Sequence, residues 1–250
     1  MSGHSRWSQI KRKKGKTDVQ RGKLFSKILR EITVAAKNGG GDPKANIRLK
    51  AAMESAKEAN MPQDNIKRAI QKGTGELPGE SYEEISYEGY APGGVALLIQ
   101  VVTDNRNRTG PEIRHAFEKF GGNMGSSGAV AWMFERQGII QVDSAKIDED
   151  DLLGKALEAG ATDMRRGEKV FEIVTAPAEM DAVREALQRA RVPVVEGQVS
   201  FVPQSTVRVE GKDATSVVRL IEALEEMDDV QSVYANYDIP DEVLEAISAA

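Results

Sequence analysis

The sequence predicts an α+β multidomain chain: an N-terminal three-helix bundle followed by two ferredoxin-like α+β domains, one inserted in the other. Three observations lead there. Apolar residues recur at helical spacing through the first 75 residues. A breaker-rich segment at 73–80 (Gly-Thr-Gly-Glu-Leu-Pro-Gly-Glu) then changes the period to short apolar runs. Between 137 and 204 the elements fall in the order βαββαβ, the ferredoxin-like signature. A length of 250 residues accommodates two or three such domains.

Thr17 stands three residues before Gln20, the capping-box spacing, and Leu24, Phe25, Ile28, Leu29, Ile32 and Ala36 follow at helical intervals. Gly39-Gly40-Gly41 stops that helix. Asp42 is expected to cap a second helix with Pro43 at its first position, where a missing N–H costs nothing. Its buried stripe would be Ala45, Leu49, Ala52, Met53 and Ala56. Pro62 opens a third helix carrying Ile66, Ala69 and Ile70, and Gly73 is expected to end it.

Beyond the linker, residues 81–89 form a short polar strand candidate and 95–102 an apolar run of buried-strand length. A helix over 111–120, a glycine-rich turn over 121–128 and a strand over 129–134 complete half of a domain. The next expected elements are strand 139–142, helix 149–159, strand 163–165, strand 170–174, helix 178–190 and strand 194–201. A last βαβ (206–209, 214–227, 230–237) supplies the missing half of the earlier domain, and 241–249 reads as a terminal helix. The boundaries implied are 1–79 for the arm and bundle, 80–136 plus 205–250 for the discontinuous domain, and 137–204 for the insert.

Charge is segregated along the chain. The net charge is −5, yet residues 1–75 hold 18 Lys+Arg against 6 Asp+Glu, a net of +12, and the rest is net −17. That pattern is a basic polyanion-binding head on an acidic body. The first 17 residues contain Arg6, Lys11, Arg12, Lys13, Lys14 and Lys16 and no acid, and read as a flexible arm. Clustered cations neutralise phosphates and release counterions, and Trp7 among them can stack on an unpaired base. A second basic segment, Asp104-Asn105-Arg106-Asn107-Arg108-Thr109, follows a buried strand and precedes a helix bearing Arg114. Loops so placed are exposed and often functional. Arg106, Arg108 and Arg114 are therefore candidate phosphate ligands. The bland alternative is a polar loop in which Asn107 or Thr109 caps the helix and Asp104 pairs an arginine.

Other chemistries find little footing. With no cysteine there is no disulfide, thiolate zinc site or cysteine nucleophile. The loop 121–128 lacks a Walker lysine and fits no GxGxxG pattern. Asp148-Glu149-Asp150-Asp151 opens a helix, where carboxylates complement the macrodipole, so capping is the expected role rather than metal binding. His4 and His115 belong to no HExxH pattern, and Ser126-Ser127 to no GxSxG elbow. The expectation is a non-enzymatic protein without metal or cofactor. No apolar stretch approaches the ~20 residues that span a bilayer, and the N-terminus lacks the apolar core of a signal peptide, so the expected location is cytoplasmic.

Several segments resemble the YebC family. They are Gly3-His4-Ser5-Arg6-Trp7 with Ile10-Lys11, Tyr87-Glu88-Gly89-Tyr90 with Pro92-Gly93-Gly94, and Thr103 to Thr109 followed by Arg114 and Gly121-Gly122-Asn123. Ala131-Trp132-Met133-Phe134 completes the set. The likeness runs over essentially the whole chain in order. Arg6 stands where the family typically has lysine, and Gly110-Pro111 replaces an apolar pair. The resemblance implies a helical N-terminal domain plus two α+β domains. It also implies a regulatory role: bacterial members are described as probable DNA-binding transcriptional regulators, mitochondrial relatives activate translation, and some bacterial members are implicated in relieving ribosome stalling. It implies no catalytic residues. The function expected is thus a nucleic-acid-binding regulator of gene expression acting on duplex DNA, or alternatively on ribosomal RNA at the ribosome. A small-molecule sensor is the remaining, weaker alternative, resting on fold analogy.

Overall fold

A computed structural model describes residues 18–167 and 169–249. Helices α1 (Asp18–Gly39), α2 (Ile47–Glu58) and α3 (Gln63–Thr74) form the N-terminal bundle. Its core joins Ile28, Ile32, Ala35 and Ala36 of α1 to Leu49, Ala52 and Ala56 of α2, with Met61, Ile66 and Ala69 closing the third side. Two expected boundaries move. Asp42-Pro43 forms a turn, and the cap of α2 is Asn46, whose side-chain oxygen accepts from the Leu49 N–H at 3.0 Å. The Asn46 amide also donates to the carbonyls of Ala35 (2.8 Å) and Gly40 (2.9 Å). One buried amide thus satisfies orphan groups at the end of α1 and the start of α2, which Asp42 could not do. Ala45 falls in the turn and is exposed. At the other boundary, Gly73 does not end α3: the helix runs to Thr74, and Gly75 closes it in the left-handed region at φ 82°. Gly73 serves close packing instead. A Cβ there would lie 2.3 Å from the Thr33 carbonyl oxygen of α1.

The first α+β domain is built on an antiparallel sheet. Strands β1 (Glu83–Ala91), β2 (Val95–Thr103), β3 (Asn123–Met124) and β9 (Val230–Ala235) lie in the order β3-β1-β2-β9. Helices α4 (Arg106–Lys119) and α7 (Gly211–Glu225) cover one face, burying Leu97, Ile99, Ile113, Phe117, Leu220 and Ile221 together. The insert comprises β4 (Phe134–Asp143), α5 (Glu149–Ala159), β5 (Asp163–Arg166), β6 (Val170–Thr175), α6 (Met180–Arg189) and β7 (Val194–Pro203). Its sheet order β5-β6-β4-β7, antiparallel throughout, is that of the ferredoxin-like fold. Asp148 caps α5 by accepting from the N–H groups of Asp150 and Asp151, the role expected of that acidic run. Strand β8 (Val207–Arg208) pairs only with β10 (Tyr237–Asp238), and α8 (Asp241–Ala249) ends the described chain.

Two strand expectations are corrected. Residues 129–133 form no strand: a 3-10 turn occupies Ala131–Met133, and β4 begins at Phe134. The reason is Glu88 of β1. Its buried carboxylate accepts the N–H groups of Gly128 (2.7 Å), Val130 (2.6 Å) and Ala131 (2.8 Å), so these donors are unavailable to a ladder. The sheet's edge strand is instead β3, two residues inside the glycine-rich segment. Likewise 206–209 adds no strand to the four-stranded sheet, where β9 pairs with β2.

The uncovered face of the first sheet holds the insert in place. Ala96 and Leu98 of β2 pack with Val130, Phe134, Phe201 and Tyr234, and the Phe201 and Tyr234 rings lie 5.2 Å apart. Among the described residues no helix is long and apolar enough to cross a membrane.

Candidate nucleic-acid interface

The basic N-terminal bundle and the Asp104–Thr109 segment meet at one acidic side chain. Asp229 sits in the turn between α7 and β9 and is 4% exposed. Its carboxylate accepts from Thr109 Oγ1 at 2.5 Å, Arg108 Nη2 at 2.7 Å and Thr103 Oγ1 at 3.0 Å. Arg30 Nη2 of α1 faces its other oxygen at 3.3 Å. Burial pushes the Asp229 carboxyl upward, but these hydrogen bonds and the Arg30 charge outweigh it and hold the carboxyl below its ordinary value.

Around this junction α1 caps α7. Lys23 donates to the Glu226 carbonyl at 3.1 Å, Lys27 to the Glu225 carbonyl at 2.6 Å, and Arg30 to the Asp228 carbonyl. Positions i, i+4 and i+7 share a helix face. Lys23 and Lys27 meet carbonyls at the negative dipole end of α7, and Arg30 meets one in the turn that follows. Three cations of the basic head are therefore engaged internally. Arg48 is engaged too, with Glu31 and Glu84, each at 2.6 Å. Lys50, Lys57, Lys67, Arg68 and Lys72 are exposed, with no ion pair among the described residues.

The Arg106–Arg108 segment is not a loop. Helix α4 begins at Arg106, one turn earlier than the sequence suggests, and takes Pro111 into its interior. The cap is Asn105, whose side chain accepts from the Arg108 N–H at 3.1 Å, rather than Asn107 or Thr109. Thr109 is buried and faces Asp229. Arg108 also pairs with Asp104 at 2.8 Å, as the bland reading supposed, and its side chain keeps 42% exposure. Arg106 and Arg114 are exposed, with no ion-pair partner among the described residues. Eight residues of helix separate them, about 12 Å along the axis. Arg6, Trp7, Lys11, Arg12, Lys13, Lys14 and Lys16 lie outside the described residues. The arm joins the described chain at the start of α1, the helix that carries Lys23, Lys27 and Arg30.

Asp229 carries no signal in the sequence, and Glu88 enters there only as part of the Tyr87-Glu88-Gly89-Tyr90 motif. Asp229 stands in an acidic run (Glu225-Glu226-Met227-Asp228-Asp229) that looks solvated, and no spacing rule links it to residues 30 and 108. Glu88 reads as one polar position of a half-exposed strand. For Glu88, burial raises the carboxyl and three backbone N–H donors lower it, with the donors prevailing. They fix the turn that presents Trp132, whose indole is 67% exposed and donates to the Ala129 carbonyl at 3.2 Å.

Comparison with known proteins adds the family. Residues 5–76 match the model for the TACO1/YebC protein N-terminal domain, and residues 82–237 the model for the TACO1/YebC second and third domain. The chain belongs to the TACO1/YebC family. Among its relatives are proteins named probable transcriptional regulatory protein. One from Pelotomaculum thermopropionicum is 58% identical over 243 residues, covering 96% of this chain and all of that relative. One from Aquifex aeolicus is 53% identical over 248 residues, covering 99% of this chain and all of the relative. The crystal structure of a conserved hypothetical protein from Aquifex aeolicus matches with a TM-score of 0.81 at 53% identity, over 90% of this chain and 93% of that one. The α+β architecture is thus a family property.

Proposed function

We propose that this TACO1/YebC protein is a cytoplasmic, nucleic-acid-binding regulator of gene expression that works by binding rather than catalysis. Its first-ranked target is duplex DNA, in keeping with the names of its relatives. The observation that carries the reading is the charge segregation, +12 on residues 1–75 against −17 on the remainder. A head of that sign condenses on phosphates while the acidic body is repelled, so most of the affinity comes from one end of the molecule. The affinity is phosphate-driven with modest sequence preference. Arg106 and Arg114 extend the contact from α4.

One observation favours a second reading, a translation factor on ribosomal RNA: the exposed indole of Trp132 has no use for bases stacked inside a duplex but suits splayed ones. The experiment that tests the shared core of both readings is a salt titration of binding. Replacing Lys11, Arg12, Lys13, Lys14 and Lys16 with Ala weakens binding and flattens the log–log slope by about 0.7–0.9 for each phosphate that is no longer neutralised. An unchanged slope removes the arm from the interface.

A further inference from the structure

We infer that Trp132 is a preorganised stacking platform for one unpaired nucleobase, at a site separate from the basic head. The inference rests on the nucleic-acid reading and specifies what kind of nucleic acid the body meets. Among the described residues six large apolar side chains are exposed, and Trp132 shares the highest exposure, 67%, with Ile47. The other five lie elsewhere in the chain: Ile47 on α2, Leu77 in the linker, Leu153 and Leu157 on α5, and Val195. Val195 is at the far end of β7, since β7 meets the start of β4 at Pro203 and its end at Val194. None of these five belongs to the turn that carries Trp132, so it is the one exposed large apolar side chain of that turn among the described residues. Its chain neighbours Val130 and Phe134 are buried, and the exposed residues on either side of that apolar run are polar: Ser126, Ser127, Glu135 and Arg136.

The ring is also held. Its N–H donates to the Ala129 carbonyl, which also accepts the Tyr90 hydroxyl at 3.1 Å. The backbone on which it stands is fastened by Glu88 through the N–H groups of Val130 and Ala131, and Gly128 adopts φ 84° to enter the turn. A buried carboxylate, a tyrosine and a 3-10 turn thus fix one large exposed aromatic face. An indole whose only polar atom is already bonded has only its π-face and ring edge to offer a ligand. A planar base satisfies that face, and any of the four bases does so, because stacking is indifferent to the hydrogen-bonding edge. A base paired within a duplex has both faces covered, so the occupant is a single-stranded or looped segment.

The test compares the native chain with W132A and W132F. Each is titrated with a labelled single-stranded RNA of about 12 nucleotides, within the span such sites cover, and with the same sequence as a blunt duplex. Binding is followed by anisotropy and by tryptophan emission. The expected result is a loss of single-strand affinity of about 5- to 150-fold in W132A, partly restored in W132F, with duplex affinity unchanged. The emission that native protein has and W132F lacks is quenched by the single strand. Native-like RNA affinity in W132A with unquenched Trp132 emission overturns the inference and leaves phosphate binding standing. Failure of the native chain to bind the single strand overturns the inference, and failure to bind a DNA duplex as well overturns the nucleic-acid reading. A change in sedimenting mass alone in W132A assigns the indole to a protein contact and equally overturns the inference. Unchanged thermal midpoints establish that the variants fold.

Discussion

Replacing Asp229 with alanine should uncouple the basic head from the body, at a cost that follows from its contacts. The carboxylate is 4% exposed and accepts from Arg108, Thr103 and Thr109, with Arg30 at 3.3 Å. Thr103 and Thr109 are also 2.8 Å from each other, and Thr109 can turn to the Asn105 carbonyl at 3.1 Å. Neither hydroxyl is therefore wholly orphaned, and together they forfeit about 1 kcal/mol. Arg108 keeps Asp104 and much of its hydration, so its loss is small. Arg30 has a 17% exposed side chain and loses its carboxylate while keeping the Asp228 carbonyl. It contributes the remainder. The total is about 3 kcal/mol, at the low end for breaking a buried pair. Urea denaturation followed by circular dichroism measures it as a fall in midpoint at constant m-value. The pH dependence carries a definite sign. The folded carboxyl lies below its unfolded value, so its stabilisation is complete above about pH 4 and is lost as pH falls through the folded value. The gap between native and D229A should therefore narrow in acid. A loss below about 1 kcal/mol at pH 7, or a gap that widens in acid, would refute the view that Asp229 joins α1 to α4.

The remaining predictions concern the turn, the bundle and the exposed arginines of α4. E88Q replaces three charge-assisted acceptances with an amide that must point a donor at backbone N–H groups. It should cost about 2–3 kcal/mol at neutral pH, and the difference should vanish as pH falls through the lowered Glu88 value. Matched urea midpoints at pH 7 and at a series of acid pH values check this. G73A gains about 1 kcal/mol of helix propensity but drives a Cβ to 2.3 Å from the Thr33 carbonyl. A net loss of about 2 kcal/mol follows, and a raised thermal midpoint would contradict it. R106A should weaken binding to every sequence alike and lower the salt slope by about 1, as measured by anisotropy at several salt concentrations.

Much of the fold was legible because it rests on periodicity and order. The stripe Ile28, Ile32 and Ala36 marks α1, and the βαββαβ sequence of the insert leaves few topologies open. What the sequence hid depends on partners distant along the chain. Gly73 looks like a cap until Thr33 is seen 2.3 Å from its missing Cβ. Residues 129–133 look like a strand until a carboxylate some forty positions earlier takes their donors. Arg106 to Thr109 looks like a loop because Pro111 suggests a helix start, yet Asn105 caps the helix earlier and Pro111 sits within it. Of the candidate site, the basic residues were readable as composition. That Arg108 and Arg30 share Asp229, while Arg106 and Arg114 stay exposed, was not, because long-range ion pairs leave no spacing signature.

The central claim is that the basic end of this chain binds nucleic acid through its phosphates. The most direct measurement offers the labelled full-length protein purified ribosomes and duplex DNA together at ~150 mM salt, where exposed charges are screened beyond about 8 Å. A chain lacking residues 1–16 runs in parallel. The expected result is retention on one of the two polyanions by the full chain and disappearance of that retention on truncation. Retention on DNA selects the transcriptional reading, and retention on ribosomes that DNA cannot displace selects the translational one. Binding to neither, or equal retention with and without the arm, would contradict the claim.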